Sequence, residues 1–194
     1  MHDIEPYHKW REYYIAANDD KSPFYSIVYD EFSFSNKIYN YFIHPQWDSI
    51  GSPSLYVKVL YVDYGIKTAM IELLGEWNDA INNDIMILKR NVIDKLLSND
   101  ISKFILFGDN VLNYHGDEDS YYEEWYEDVS DAGGWICFVN FRHHVISEME
   151  TINLQYYLLM GNQFNDILWR HKTPNYTIEY INQLINQSTK QLRY

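Results

Sequence analysis

The sequence predicts an α/β fold: a β-hairpin followed by βα repeats that form a mostly parallel sheet flanked by helices. Three observations carry this. Short apolar runs (LYVKVLYVDY, TAMIELLGEW, KFILFG, WICFVNF and LQYYLLMG) recur between residues 55 and 161. Segments of helical period separate the later runs. The 194-residue length and 46% apolar content suit one core. We divide the chain into an aromatic-rich N-terminal extension, 1–54, packed on the core, and an α/β domain, 55–194, with a C-terminal helix.

Thirteen of the first 50 residues are Phe, Trp or Tyr. Tyr7, Trp10 and Tyr14 are spaced for one face of a short helix, with Pro6 suited to its first turn. Phe24–Phe34 alternates like a strand covered on both faces, and residues 36–54 read as an ordered connection. Such an arm either packs on its own core or serves as a docking surface or homodimer strap, since tyrosine and tryptophan anchor interfaces.

Residues 55–74 form the hairpin, with Gly65 expected to take positive φ in the turn. Leu55, Val57, Val59 and Tyr61 are expected on one face; Tyr56, Lys58, Leu60 and Val62 on the other. Gly75–Asp79 is expected to end the second strand and start a helix, capped by Asn78 or Asp79. Ile81, Ile85, Leu88, Val92 and Leu96 then give one apolar stripe, with Lys89 off it. Lys103–Gly108 is a short buried strand, Trp135–Phe141 the next, and Leu154–Met160 the last. Between them a short helix carries Val145, Ile146 and Met149. Pro174 opens the C-terminal helix, with Tyr176, Tyr180, Leu184, Ile181 and Ile185 inward.

One stretch has unusual chemistry. No Lys or Arg occurs from Phe104 to Phe141, yet nine Asp and Glu fall between Asp109 and Asp131. Ser120 and Glu123 have capping-box spacing, so a helix is expected from about Tyr121 to Asp131. Gly133-Gly134 stops it. Asp109, Asp117, Glu118 and Asp119 could supply oxygen ligands to a hard cation, but the Ca²⁺-loop pattern is absent. Without that spacing the cluster reads as a solvated face complementing a helix dipole. We therefore assign neither a metal nor a cofactor. His143-His144, after a strand end, and His115, beside Asp117, are acid–base candidates. There is no G-x-G-x-x-G, Walker loop or G-x-S-x-G motif.

The formal charge of −13 argues against nucleic-acid backbones and anionic membranes, and for a basic protein partner. The lone Cys137 precludes an internal disulfide framework and reads as a small packed thiol in a central strand. With no apolar run near 20 residues and no basic, hydrophobic N-terminal signal, a soluble cytoplasmic protein is expected.

IELLGEWNDAINNDI resembles the STAS (SpoIIAA-like) pattern, in which a strand ends in Gly-Glu-x-Asx and runs into the first helix. KFILFGDNVLNYHGDEDSYYEEW resembles the continuation: strand, Asx, short apolar stretch, then an acidic-serine turn opening the second helix. WICFVNFRHHVISEM and LQYYLLMG fall where the family's next strand, short helix and last strand would. Phosphorylation-regulated members carry Asp-Ser-Ser-Gly at that turn. Here it reads Asp117-Glu118-Asp119-Ser120-Tyr121, with Ser120 the nearest equivalent and the glycine missing. The resemblance implies a SpoIIAA-like fold and a regulatory, protein-binding role. On that basis Asp117, Asp119, Ser120, Tyr121, Glu123, Glu124 and Trp125 are the expected partner contacts. The alternative is a small metal-dependent hydrolase using His115, Asp117 and Asp119.

Overall fold

The computed structural model describes residues 4–30 and 32–191. Its strands are β1 (Lys37–Ile38), β2 (Tyr41–Phe42), β3 (Asp48–Ser49), β4 (Leu55–Asp63), β5 (Thr68–Asn78), β6 (Lys103–His115) and β7 (Trp135–Val139). Its helices are α1 (Asp79–Asn82), α2 (Asp84–Leu88), α3 (Asp94–Leu97), α4 (Ser120–Ser130), α5 (His143–Thr151) and α6 (Pro174–Gln191). A π turn, Lys89–Ile93, joins α2 to α3. One sheet runs β3-β4-β5-β6-β7, and β1-β2 form a small separate ribbon.

The sheet is mixed rather than mostly parallel. β3 and β4 pair antiparallel, as do β4 and β5, while β5-β6 and β6-β7 are parallel. The expected last strand, Leu154–Met160, does not form. Asn153 (φ 64°) and Gly161 (φ 67°) bracket the run, and its first half winds into a 3₁₀ turn at Leu154–Tyr156. Only Leu159 remains bridged, to Cys137.

Three further expectations are corrected by local geometry. In the hairpin, Asp63 Oδ1 accepts from Gly65 N (2.8 Å) and Ile66 N (3.1 Å), and the left-handed residue is Lys67 (φ 59°), not Gly65. A bulge between Val59 and Tyr61 then reverses the alternation, so Val62 joins Val57 and Val59 while Tyr61 joins Leu60. Gly75 does not end its strand. At φ 117° it sits in a bulge where a Cβ would lie 2.0 Å from Ser54 O, and β5 continues to Asn78.

The next helix is interrupted. Asn78 caps α1 by accepting from Ile81 N (3.0 Å), and left-handed Asn83 (φ 53°) then separates α1 from α2. Ile81 is consequently 81% exposed, whereas Ile85, Leu88, Val92 and Leu96 are buried on the sheet. Lys89, expected off the stripe, is buried.

The sheet has two covers. One face packs against α2, α3, α4 and α5 through residues such as Leu88, Trp125 and Val145. The other, with Met70, Ile105, Phe107 and the buried Cys137, is closed by Trp10 from the arm and by Phe164, Trp169, Ile178 and Ile181. In α6 those isoleucines take the inward positions; Tyr176 and Tyr180 stack on each other further out.

The arm folds as 3₁₀ turns at Lys9–Glu12 and Ala16–Asn18 rather than as one helix. Trp10 Nε1 donates to Lys172 O (2.9 Å) and Trp47 Nε1 to Ile4 O (2.8 Å). Phe24–Phe34, of which Glu31 lies outside the described residues, is not a strand. Ser26 is left-handed (φ 60°), and Asp30 Oδ1 accepts from Phe32 N and Ser33 N in a side-chain turn.

Candidate functional site

The acidic stretch is less of a loop than its composition suggests. β6 runs on to His115, leaving residues 116–119 as the turn into α4. The carbonyl of Asp119 accepts from Tyr122 N and Glu123 N, both at 2.9 Å, so Asp119 occupies the cap position. Ser120 Oγ donates to Glu118 Oε1 (2.9 Å), and the expected capping box with Glu123 does not form. At the other end Gly133 is left-handed (φ 68°) and Gly134 N donates to Val129 O (2.8 Å).

α4 buries Tyr122, Trp125 and Val129, spaced three and four apart. Trp125 meets Phe104 edge-on at 5.2 Å and is fully buried. A side chain so placed is part of the core, and the sequence reading of Trp125 as a partner contact is corrected accordingly.

The charges on α4 divide into two rows. Lys89 Nζ lies 2.7 Å from Asp94 Oδ1, 3.2 Å from Glu124 Oε1 and 2.7 Å from Asp128 Oδ2. Arg90 holds Glu124 in a fork, at 2.7 and 2.8 Å. Burial works against the Lys89 cation, but hydrogen bonds to Asp128, Asp94 and Glu124 overcome it and raise its pKa. Hydrogen bonding to Arg90 holds Glu124 below the usual carboxylate range. Tyr121 leans over the Arg90 guanidinium. Two residues from another helix thus supply the cations missing from the acidic stretch.

The second row faces outward. Asp117, Glu118, Glu123 and Glu127 are exposed, and among the described residues no ion pair links them to a cation. Tyrosines border them. Tyr126 packs against Tyr157 (ring centroids 6.0 Å apart), Tyr157 OH donates to Asp119 Oδ2 (3.1 Å), and Tyr156 is exposed.

Beneath this surface lies a carboxylate that the sequence presented only as an alternative cap. Asp79 Oδ1 accepts from Trp77 Nε1 (2.9 Å) and Ile85 N (2.8 Å); Oδ2 accepts from Tyr122 OH (2.7 Å) and Tyr114 OH (3.0 Å). Four donors thereby tie β5, β6, α2 and α4 to one side chain. Burial nevertheless pushes its pKa up to about 6.

The His/Asp set does not converge. His115 and Asp117 are exposed and Asp119 is engaged by Tyr157. Among the described residues no group of three or more His, Cys, Asp or Glu is arranged to hold a metal. His144 and His143 diverge: the His144 ring contacts Leu112 O (2.8 Å), while His143 lines a cavity of about 680 Å³ with Asp109, Arg142 and Arg170.

An ion cluster built on the buried Glu72, beside that cavity, escaped the sequence reading. Arg170 donates to Glu72 Oε1 (2.6 Å) and Asp109 Oδ1 (2.8 Å), Trp169 Nε1 to Asp109 Oδ2 (3.0 Å), and Tyr7 N to Glu72 Oε2 (2.8 Å). The available signal was Glu72 itself, the one charge inside TAMIELLG, a position that burial tolerates only with a partner. Lys58 inside LYVKVLYV is the same signal.

No family model matches the sequence, and no curated protein matches it. Among solved structures, the chain resembles a candidate anti-sigma factor antagonist from Thermotoga maritima, with 17% identity and a TM-score of 0.41, over 58% of this chain and 86% of that one. It also resembles SpoIIAA, a Bacillus cell-fate determinant in its phosphorylated form, with 10% identity and a TM-score of 0.36, over 55% of this chain and 92% of that one. Among the described residues no helix is long and apolar enough to cross a membrane.

Proposed function

We propose that the protein is a non-enzymatic regulatory module that binds a basic protein partner through the outward face of α4. The observation that supports this is the division of the α4 carboxylates. Glu124 and Asp128 are neutralised within the chain by Lys89 and Arg90, whereas Glu123, Glu127, Asp117 and Glu118 are not. Exposed like charges gathered on one face repel one another and favour a cationic counterpart, which speeds encounter. Tyr126, Tyr156 and Tyr157 supply amphipathic anchoring area around them. Relative to the sequence reading, Asp117 and Glu123 stay, Tyr126 and Glu127 replace Trp125 and Glu124, Glu118, Tyr156 and Tyr157 join, and Asp119, Ser120 and Tyr121, engaged by Tyr157, Glu118 and Arg90, leave the set.

Affinity capture with the wild type, Glu123→Lys/Glu127→Lys and Glu124→Gln/Asp128→Asn tests the reading. The outward reversal should weaken a salt-sensitive partner by about tenfold or more. The inward variant should retain it. Equal recovery of every partner by the outward reversal would refute the proposal.

A further inference from the structure

We propose that the cavity between the N-terminal arm and β4 is a binding site for a small carboxylate with an apolar body, held by Lys58 and Arg11. The cavity measures about 250 Å³, below the roughly 300–1,000 Å³ typical of drug-sized ligands, so its occupant is small. Val59 and Leu60 on the sheet side and Ile15 and Ala17 on the arm side give it apolar walls. Its two charged lining residues among those described are both cations, Arg11 and Lys58. In a chain with 28 carboxylate side chains against 15 Lys and Arg, a cavity whose charged lining among the described residues is cationic runs against the composition.

Lys58 is the stronger argument. It sits within a strand, only 8% exposed, with Nζ 3.1 Å from Asp48 Oδ2 and 3.6 Å from the centroid of the Tyr29 ring. Nζ and Asp48 Oδ2 face each other, yet neither makes a properly directed hydrogen bond among the described residues. A buried ammonium carries three donors and normally finds acceptors for them. Burial lowers the Lys58 pKa and raises that of Asp48, with each partner's charge opposing the shift. A second carboxylate would complete the cation's coordination.

The cover over Lys58 is the Tyr29 ring, whose hydroxyl donates to Asp48 Oδ1. Tyr29 belongs to a segment without helix or strand, so an entering ligand displaces a side chain rather than a sheet element. Arg11, exposed at the rim and bonded to Gln46 Oε1 (2.9 Å), meets the carboxylate first.

Titration of the full chain with hexanoate, hexanamide and hexylamine, followed by amide chemical shifts at Val59 and Leu60, tests the site. Hexanoate should bind saturably, and its neutral amide about tenfold more weakly or worse, the scale of a charge-assisted hydrogen bond. The amine should not bind. Lys58→Met should lose hexanoate, and Ala17→Leu, which fills the cavity without altering charge, should do the same. Absence of saturable hexanoate binding to the wild type would overturn the proposal, as would equal binding of acid and amide, or undiminished binding by Ala17→Leu. Should Lys58→Met not fold, the amide control and Ala17→Leu decide.

Discussion

The two faces of the sheet are built on different principles. On the helix side, α2 to α5 lay apolar stripes over Val57, Ile71, Leu73 and Leu106, and the buried carboxylates Asp79 and Asp84 sit where β5 gives way to α1 and α2. On the other side the covering segments come from the two ends of the chain, and charge reaches the middle of the strands. Lys58 and Glu72 are register partners there, each drawn into a separate polar cluster: Lys58 with Asp48 and Tyr29, Glu72 with Arg170 and Asp109. Apolar stripes carry most of the attachment on the helix side, with Asp79 and the Lys89 cluster pinning α4 at its margins. Ion pairs fix orientation, and they are costly when one partner is lost.

Truncating one large aromatic on each side should give the largest effects. Trp125→Ala and Trp169→Ala should each lower stability by about 3–5 kcal/mol in urea unfolding, the range for emptying a large aromatic site. Replacement by phenylalanine separates the faces. Trp125 Nε1 has no hydrogen-bond partner among the described residues, whereas Trp169 Nε1 donates to Asp109. Trp169→Phe should therefore cost about 1 kcal/mol more than Trp125→Phe, because it leaves the half-buried Asp109 short of a donor. Equal losses would erase the distinction at this level.

Removing Arg170 tests the ion cluster. Arg170→Met strands the nearly inaccessible Glu72 and should cost about 3 kcal/mol near neutral pH. Burial already raises the Glu72 pKa, with Tyr7 N and Arg170 opposing it, and loss of the guanidinium raises it further. A carboxyl whose folded-state pKa exceeds its unfolded value binds protons more tightly when folded. Its stabilising contribution is complete below the unfolded pKa and is lost as pH rises through the folded one. Hence the variant's deficit should shrink on acidification. A deficit independent of pH would mean that packing of the arginine stem, rather than charge, was lost.

This difference between the faces also explains what could be read from the chain alone. The helix stripe Ile85, Leu88, Val92 and Leu96 and the hairpin strands are periodic, and periodicity survives without tertiary knowledge. The failures lie where single residues leave the period. The β4 bulge turned Val62 over, Asn83 and the π turn broke one helix into pieces, and Asn153 and Gly161 cut the last strand to one bridge. At the acidic site, the helix and its charge were legible. Which carboxylates face outward was not, because that depends on Lys89 and Arg90, some thirty positions away and on a segment whose periodicity placed Lys89 elsewhere.

Asp79 allows a finer test on the helix side. Its pKa of about 6 lies above the roughly 3.9 of an unfolded aspartate. Its contribution to stability is therefore complete below about pH 4 and is lost as pH rises through about 6. In Asp79→Asn this slope disappears. Between those limits the wild type should lose about 2 kcal/mol relative to the variant, since each pKa unit corresponds to about 1.4 kcal/mol. Urea midpoints measured across that range decide it: parallel pH curves would show that the four donors offset burial, and a wild type that gains on the variant as pH rises would show that they dominate it.

The smallest effect on stability concerns the surface with the largest proposed role. Glu123→Lys/Glu127→Lys alters only exposed positions and should change the unfolding free energy by no more than about 0.5 kcal/mol. Glu124→Gln/Asp128→Asn removes two of the three carboxylate charges around the buried Lys89 and should cost about 1–2 kcal/mol, less than a fully buried pair because both carboxylates are partly solvated. Stability and partner binding should thus respond in opposite order: the outward reversal folds normally and binds poorly, and the inward variant folds less stably and binds normally. Two carboxylate rows a single residue apart on one helix would then serve different ends, one holding α4 to the neighbouring helix and the other left for a partner.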